Sequence, residues 1–270
     1  MKIWLKKIFG KNNLKKLGFL ALSICLFCFI LIFLRNTQVL PQGAISLIEE
    51  MEEINSSDRV LIFSPHPDDE TLCCSGLIDK SKKKGADIYI VLVTDGNNRN
   101  LKIVRYEEFL KVMDLLKIPK ENIFFLNYPD KKLQLYPSST LQEKFEEIIL
   151  KVRPTIIIFP LEEDNHKDHK IVSQNLKFVL KKYPIIKSYQ YLIHHNYFPQ
   201  PWGYHPYYYL LPPLKILNFS YHFKKVSLDL EEITLKKQAV YMYQSQLKFF
   251  PLKEMMPSFI RLNELFIEEK

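Results

Sequence analysis

The sequence has few cysteines and little excess positive charge beyond its first 35 residues. Four cysteines in 270 residues provide no disulfide framework, and the adjacent pair Cys73 and Cys74 is a spacing that rarely forms a stable bridge. Residues 1–35 hold seven of the 38 Lys and Arg residues and no Asp or Glu. The rest carries 31 basic and 30 acidic residues, a net charge of +1. That balance argues against a nucleic-acid partner, which would leave a basic footprint.

One long apolar run, residues 17–34, lies near the N-terminus. It is uncharged, and as a helix rising ~1.5 Å per residue it would extend about 27 Å, close to the ~30 Å hydrocarbon core of a bilayer. Six lysines precede the run and only Arg35 follows it closely, so the positive-inside rule places the N-terminus in the cytoplasm. We therefore predict a basic N-terminus at 1–16, a transmembrane signal-anchor helix at 17–35, and a single-pass membrane localisation with an extracytoplasmic globular domain.

A cleaved signal peptide is the alternative for the same run. The apolar core of a signal peptide is typically ~7 to 15 residues long, which is shorter than this run. No clear small-x-small cleavage site follows it. The membrane anchor is therefore the favoured interpretation.

Strand and helix patterns alternate after a predicted linker at residues 36–58. The strand candidates are 60–63, 87–93, 122–126, 155–159, 189–194 and 225–230. The helix candidates are 71–84, 103–117, 139–152, 168–182 and 231–246. This alternation predicts an α/β domain at 59–270, with a Rossmann-like, mostly parallel sheet flanked by helices.

Two clusters of ligand-type side chains follow strand candidates. The first motif, SPHPDDE at residues 64–70, places one imidazole and three carboxylates on one turn. The second motif, EEDNHKDH at residues 162–169, follows the β-branched run 155–159. Neighbouring carboxylates repel one another unless a cation compensates their charge. Histidine and aspartate are ligands that suit zinc, and another divalent metal is the alternative. Loops at the C-terminal ends of parallel strands converge where the strand order reverses, so we predict one shared metal site.

The two motifs, in this order, resemble the signatures of the PIG-L/LmbE-like family of zinc-dependent de-N-acetylases. These signatures are His-Pro-Asp-Asp-Glu, here at residues 66–70, and His-x-Asp-His, here at residues 166–169. The resemblance extends from about residue 59 to residue 246. It also includes the positions Thr94, Asp95, Gly96, Arg105, Lys236, Ala239, Ser245 and Gln246. Four positions depart from the residues common in the family, namely Cys73, Ser75, Lys167 and Tyr243, the last of which stands where a histidine is common.

The resemblance implies a metal-assisted hydrolysis of an acetamide. Its metal ligands would be His66, Asp69 and His169. Asp68 would act as the general base, and His166 would stabilise the oxyanion that forms when water attacks the carbonyl. Zinc with three protein ligands would retain positions for water and substrate.

Three further residues have supporting roles by the same resemblance. Asp168 would orient the imidazole of a metal ligand by a hydrogen bond to the ring nitrogen that does not bind the metal. Arg105 and Asp95 would bind sugar hydroxyls or a phosphate of the substrate.

The predicted function is that of a membrane-anchored, zinc-dependent de-N-acetylase for an N-acetylated sugar, of the N-acetylglucosamine type and linked to a lipid or a glycan. Two alternatives stay open: a zinc amidase for another acyl group or a thiol-sugar precursor, and a non-catalytic carbohydrate-binding membrane protein of the same fold. The aromatic and proline-rich segment 196–223 also has open interpretations: a lid, a sugar-stacking wall, a surface resting on a bilayer, or an irregular loop packed on the core.

Overall fold

An eight-stranded sheet with helices on both faces forms the centre of the chain. The structure is a computed structural model that describes residues 11–36, 38–196, 198–218 and 220–269. Its strands are β1 (Glu49–Glu50), β2 (Arg59–Ser64), β3 (Asp87–Thr94), β4 (Ile123–Tyr128), β5 (Ile156–Pro160), β6 (Lys187–Tyr191), β7 (Tyr221–Ser227) and β8 (Asn263–Glu269). Its α-helices are α1 (Lys11–Asn36), α2 (Asp69–Lys83), α3 (Lys102–Leu115), α4 (Ser138–Val152), α5 (Lys167–Leu180), α6 (Leu230–Met242), α7 (Gln244–Leu247) and α8 (Leu252–Met255).

The strand order is β1-β7-β8-β6-β5-β2-β3-β4. The neighbouring pairs are parallel except β6 with β8 and β7 with β8, so β8 alone runs against the others. The chain goes from β2 to β3 and β4 on one side, then returns to place β5 and β6 on the other. The strand order therefore reverses between β2 and β5, as the sequence pattern of a mostly parallel α/β sheet predicts.

Alternate side chains of the central strands feed two separate hydrophobic cores. On β2, Val60 and Ile62 belong to one core and Leu61 and Phe63 to the other. The two sets point to opposite faces because successive side chains of a strand alternate. Both faces of the strand are thus buried, which explains why the sequence reads as a continuous apolar run rather than as an alternating one.

The segment predicted as a linker, residues 36–58, is attached to the sheet. It forms a 3₁₀ helix at Gln42–Leu47 and the short strand β1, which pairs in parallel with β7. The ammonium group of Lys225 on β7 donates to the carbonyls of Ile45 and Ile48. The two glutamates of β1 are therefore extended because they pair with β7, although glutamate by itself has a good helix propensity.

The aromatic segment 196–223 packs on the core through part of its length. Phe198, Leu210, Leu211 and Ile216 are buried in the larger core, whereas Tyr207 is 77% exposed.

On α2, Cys73 and Cys74 are buried and are joined by a disulfide, which the spacing of the two residues did not predict.

The predicted membrane anchor is the main correction to the sequence interpretation. Within the described parts of the chain, no helix combines the length and the apolar character that crossing a membrane requires. This finding contradicts the predicted transmembrane helix at 17–35 and the single-pass localisation that depended on it, and it gives no support to the predicted membrane association. The predicted basic N-terminus, 1–16, lies mainly outside the described residues.

A buried ion pair ties α2 to α6 and β8. The ammonium group of Lys236 lies 2.5 Å from Oε1 of Glu264, and both side chains are 0% exposed. The same carboxylate accepts hydrogen bonds from the backbone N–H groups of Gly76 and Leu77 in the middle of α2. The pair therefore holds the helix that begins at the first motif.

Glu264→Gln is expected to lower the free energy of unfolding by about 3–5 kcal/mol, because it leaves a buried ammonium group without its counter-charge. Urea denaturation measures the loss. Glu268→Gln on the same strand is the matched control, since this side chain is 43% exposed and its contact with Lys224 is 3.6 Å long. The control should cost less than ~1 kcal/mol. Equal losses in the two variants would contradict a stabilising role for the buried pair.

Candidate active site

The structure brings the two motifs together at the point where the strand order reverses. The first motif starts at the last residue of β2, and Asp69 begins α2. The second motif follows β5, and His166 is the N-cap of α5. Because β2 and β5 are parallel neighbours, their C-terminal loops open at the same edge of the sheet.

The three predicted metal ligands are in direct contact. Oδ2 of Asp69 lies 3.2 Å from Nδ1 of His66 and 3.0 Å from Nε2 of His169. The two imidazole rings stack with their centroids 5.3 Å apart. All three side chains are buried. Residues separated by about a hundred positions thus place their ligand-type atoms around one point.

The remaining nitrogen of each imidazole faces a carboxylate. Nε2 of His66 lies 3.2 Å from Oδ2 of Asp168, and Nδ1 of His169 lies 3.1 Å from Oδ2 of Asp164. A carboxylate behind a histidine fixes the ring and its tautomer, so that the other nitrogen is free to bind a metal. Asp168 therefore orients the ring of His66. Asp164 does the same for His169, a role that sequence reasoning missed because the second motif contains several acidic residues.

The donor set fits a divalent metal. Among the described residues, Oδ1 of Asp69 is a buried atom without a hydrogen-bond partner, and Nε2 of His169, although 3.0 Å from Oδ2 of Asp69, makes no well-aligned hydrogen bond; this is a costly arrangement unless another group satisfies both atoms. Ligand atoms of His66, Asp69, His169 and His194 lie within 4.8 Å of one another, as do those of His66, Asp130, His166 and Asp168. Two imidazoles and a carboxylate, held by further carboxylates, are ligands that zinc accepts.

The charges of this cluster compensate one another. Burial opposes the ionisation of Asp69, but the imidazoles of His169 and His66 prevail and hold the pKa of Asp69 well below its usual range. Burial likewise opposes protonation of His66, but the carboxylates of Asp168 and Asp69 raise its pKa to about 9. The buried cluster therefore contains groups with strongly shifted pKa values, as is common at functional sites.

Asp68 lies at the edge of the cluster in an uncommon backbone conformation. Its φ is 134°, and its Oδ2 accepts a hydrogen bond of 3.2 Å from Nη2 of Arg105. Burial raises the pKa of Asp68 to about 7, although the guanidinium of Arg105 opposes the shift. A carboxylate that titrates near neutral pH suits proton transfer.

Arg105, predicted to bind substrate, uses its guanidinium to hold the loops of the site. Nη2 donates to the carbonyl of Pro67 and to Asp68, and Nη1 donates to the carbonyl of Gly96 and to Oδ2 of Asp130. The side chain is buried but it lines the cavity of the site. Its main visible role is therefore to connect the first motif to the loops after β3 and β4.

Asp95, also predicted to bind substrate, organises the loop after β3. Its Oδ1 accepts hydrogen bonds from the backbone N–H groups of Asn97 and Asp130. The next residue, Gly96, has a φ of +58°, and a Cβ atom there would lie 2.8 Å from Cδ of Pro67. The loop can thus pack closely over the first motif only with glycine at this position.

His166 faces the same cavity in a defined tautomer. Its Nδ1 accepts a 3.3 Å hydrogen bond from the backbone N–H of Asp168, so the neutral ring carries its proton on Nε2. Burial and the neighbouring imidazoles of His66 and His169 lower the pKa of His166, so the ring is neutral. The cavity has a volume of about 180 Å³. Its lining includes His66, Asp68, Arg105, Asp130, His166 and His194.

Sequence reasoning missed Asp130 and His194. Asp130 follows β4, its side chain is 3% exposed, and its Oδ1 lies 3.5 Å from Nε2 of His66. His194 follows β6, and its ring centroid lies 4.9 Å from that of His169. The available signal was an acidic or imidazole side chain directly after a strand, at the edge where the two motifs meet. It was hidden for His194 because the strand prediction 189–194 ran past the observed end of β6 at Tyr191.

The sequence of this chain is similar to those of known deacetylases. Residues 61–179 match the sequence profile of the family described as PIG-L: GlcNAc-PI de-N-acetylase. The chain is 29% identical over 131 residues to the diacetylchitobiose deacetylase of Thermococcus kodakarensis, which covers 44% of this chain and 48% of that protein. It is also 29% identical over 125 residues to a probable N-acetyl-alpha-D-glucosaminyl L-malate deacetylase 2 of Bacillus subtilis, which covers 42% of this chain and 56% of that protein. The matched region thus spans about half the length of these curated relatives.

The fold is also found in a solved structure. The conserved protein TT1542 from Thermus thermophilus superposes with a TM-score of 0.53 at 22% identity, over 70% of this chain and 80% of that one. The likeness shows a shared fold, a central sheet flanked by helices. The two motifs, their convergence and the sequence matches lead to one conclusion: residues 61–179 of this chain are similar to the PIG-L family, and the curated proteins matched here are named as deacetylases, hydrolases of amide bonds.

Proposed function

We propose that this protein is a metal-dependent de-N-acetylase that removes the acetyl group from an N-acetylated sugar. The observation that carries the proposal is the contact of His66, Asp69 and His169 around one point, with Asp68 and His166 lining the cavity beside it. These are the side chains that hydrolysis of an acetamide requires: a metal site, a base and a donor to the oxyanion.

The proposed cofactor is Zn²⁺, held by Nδ1 of His66, a carboxylate oxygen of Asp69 and Nε2 of His169. Zinc supplies Lewis acidity towards the acetamide carbonyl and lowers the pKa of a water molecule towards ~7. The protein contributes the fixed orientation of both imidazoles, through the carboxylates of Asp168 and Asp164. Other divalent metals accept similar ligands, so the acetate-release assay should be repeated with different metals bound to the protein.

Asp68 is the proposed general base. Its carboxylate lines the cavity, and Arg105 holds Oδ2 in place from the side. Asp68 takes a proton from the attacking water, and it returns that proton to the amine as the bond between carbon and nitrogen breaks. A group that both accepts and donates a proton needs a pKa near the working pH.

His166 is the proposed donor to the oxyanion. Because its Nδ1 accepts from the backbone of Asp168, the proton on Nε2 is available to an oxygen in the cavity. A fixed donor of this kind stabilises the negative charge that develops when water attacks the carbonyl. Arg105 and Asp95 are proposed to contact the sugar hydroxyls or a phosphate of the substrate. Because both side chains already bind the loops of the site, we place these contacts on the part of the substrate that lies beyond the acetamide.

The proposed substrate class is an N-acetylglucosamine conjugate. Diacetylchitobiose, the N-acetylglucosaminyl malate and the N-acetylglucosaminyl phosphatidylinositol named in the matched proteins share this unit and differ in what it is attached to. A cavity of about 180 Å³ is smaller than the ~300–1,000 Å³ of ordinary ligand pockets. It suits the acetamide and part of one sugar ring, with the attached group outside.

Acetate release from N-acetylglucosamine conjugates tests the proposal. The purified chain, loaded with zinc, is expected to release acetate from at least one conjugate in a panel of disaccharide, malate and phosphatidylinositol types. A chelator should abolish the release, and added zinc should restore it. Matched substrates with longer acyl groups are the control, and a preference for these would indicate a different amidase. A zinc-loaded protein that binds the sugars but releases no acetate would refute the catalytic proposal.

A further inference from the structure

The last carboxylate of the first motif, that of Glu70, is buried and takes no part in the proposed mechanism. Glu70 is 0% exposed, and its Oε1 accepts hydrogen bonds from the hydroxyls of Tyr243 (2.6 Å) and Thr71 (2.7 Å). Its Oε2 accepts from the hydroxyl of Ser64 (2.8 Å) and from the backbone N–H of Asp68 (3.3 Å). Three hydroxyls, one of them from a separate helix, thus hold one buried carboxyl group that contacts the backbone of the proposed base.

Asp68 needs such support because of its backbone conformation. A φ of 134° is uncommon for a residue with a side chain, and it persists only where the surroundings determine it. Two side chains do so here. Glu70 holds the N–H of Asp68 from below, and Arg105 holds the carbonyl of Pro67 and the carboxylate of Asp68 from the other side.

Among the hydrogen-bond donors to Glu70, Tyr243 is the most distant in the sequence. It follows the last residue of α6, its side chain is 0% exposed, and its hydroxyl makes the shortest of the hydrogen bonds to Glu70. Thr71 is a neighbour of Glu70 on the same helix and moves with it, whereas Tyr243 connects Glu70 to a separate helix. Tyr243 is also one of the positions where this chain departs from the residue common in the PIG-L family.

On the basis of the proposed function, we propose that Tyr243 is a positioning residue for the reaction. Its hydroxyl fixes the carboxylate of Glu70, and Glu70 in turn fixes the backbone of Asp68, so that the carboxylate of Asp68 meets the attacking water. The effect passes through two hydrogen bonds and involves no contact of Tyr243 with the substrate. The residue should therefore affect the chemical step, and it should leave substrate affinity and metal binding unaltered.

Tyr243→Phe tests this role, because it removes the hydroxyl and retains the buried ring. We expect kcat for acetate release to fall about 10- to 100-fold, the range that a misplacement of up to ~1 Å produces. KM for the same conjugate and the bound zinc, measured by elemental analysis, should not change. Tyr241→Phe is the matched control, since Tyr241 lies on α6, the helix that Tyr243 follows, and is 37% exposed. This control should behave as the unaltered protein does.

Glu70→Gln is the second variant, which decides the question if Tyr243→Phe does not fold. It is nearly isosteric and alters the group through which the effect of Tyr243 passes to the backbone of Asp68. A fall in kcat at constant KM and constant zinc content supports the proposal for either variant. An unchanged kcat, a rise in KM alone, or a loss of zinc that parallels the loss of activity overturns it.

The outcome for the unaltered protein separates this inference from the proposed function. If the zinc-loaded protein releases no acetate from any conjugate, the proposed function fails and the role of Tyr243 fails with it. If that protein is active and both variants match it, only the role of Tyr243 is overturned.

Discussion

Asp68→Asn is expected to lower kcat for acetate release by about 10²- to 10⁴-fold, the usual contribution of a positioned general base. The amide retains the shape of the carboxylate and can still contact Arg105, but it cannot accept the proton of the attacking water. Metal binding should persist, because the contacts among His66, Asp69 and His169 do not involve Asp68. The measurement is kcat at saturating substrate, together with zinc content.

Asp79→Asn is the matched control for this variant. Asp79 lies on α2, the helix whose N-cap is Asp68, and it is partly exposed and pairs with Lys83 one turn later. Its replacement should leave kcat unaltered. If Asp68→Asn keeps full activity, another group is the base. If the variant instead loses its zinc, Asp68 is a metal ligand and the assignment of the first motif must change.

His169→Ala is expected to abolish zinc binding and, with it, acetate release. The side chain is fully buried between Asp69 and Asp164, so no neighbouring water can easily take its place as a ligand. In the unaltered protein, zinc at about a thousand times its dissociation constant should raise the free energy of unfolding by about 4 kcal/mol, because a ligand that binds only the folded state stabilises it. His169→Ala should show no such gain. Thermal or urea unfolding with and without zinc measures the difference.

His222→Ala is the control for the loss of an imidazole, because His222 lies on β7 with an exposed side chain. It should respond to zinc as the unaltered protein does. Because protons compete with zinc for imidazole nitrogens, the stabilisation by zinc should also decline as the pH falls. A His169→Ala protein that is still stabilised by zinc to the full extent would show that the metal binds elsewhere.

The sequence alone was informative about the order of the elements and about the two motifs. Strand candidates such as 60–63 and 155–159 were recognisable because fully buried parallel strands are continuous apolar runs; β2 contains the first, and β5 covers all of the second except its first residue. The positions of His66, Asp69 and His169 after these strands were enough to predict that they converge. Periodicity gave no comparable signal for β1, whose two residues are extended only because they pair with β7.

The apolar run 17–34 shows where composition by itself misleads. Length and hydropathy indicated a transmembrane helix, but no helix among the described residues meets the requirement for one.

The identity of the motifs, their order along the chain and the chemistry of their donor atoms were determined by the sequence, because each is a local property of a few neighbouring residues. Only the tertiary structure decided which carboxylate stands behind which imidazole, that Asp130 and His194 face the same cavity, and that Tyr243 supports Glu70. These pairings join residues up to about 170 positions apart. They depend on how helices and loops pack across the edge of the sheet, and no local pattern in the chain encodes that packing.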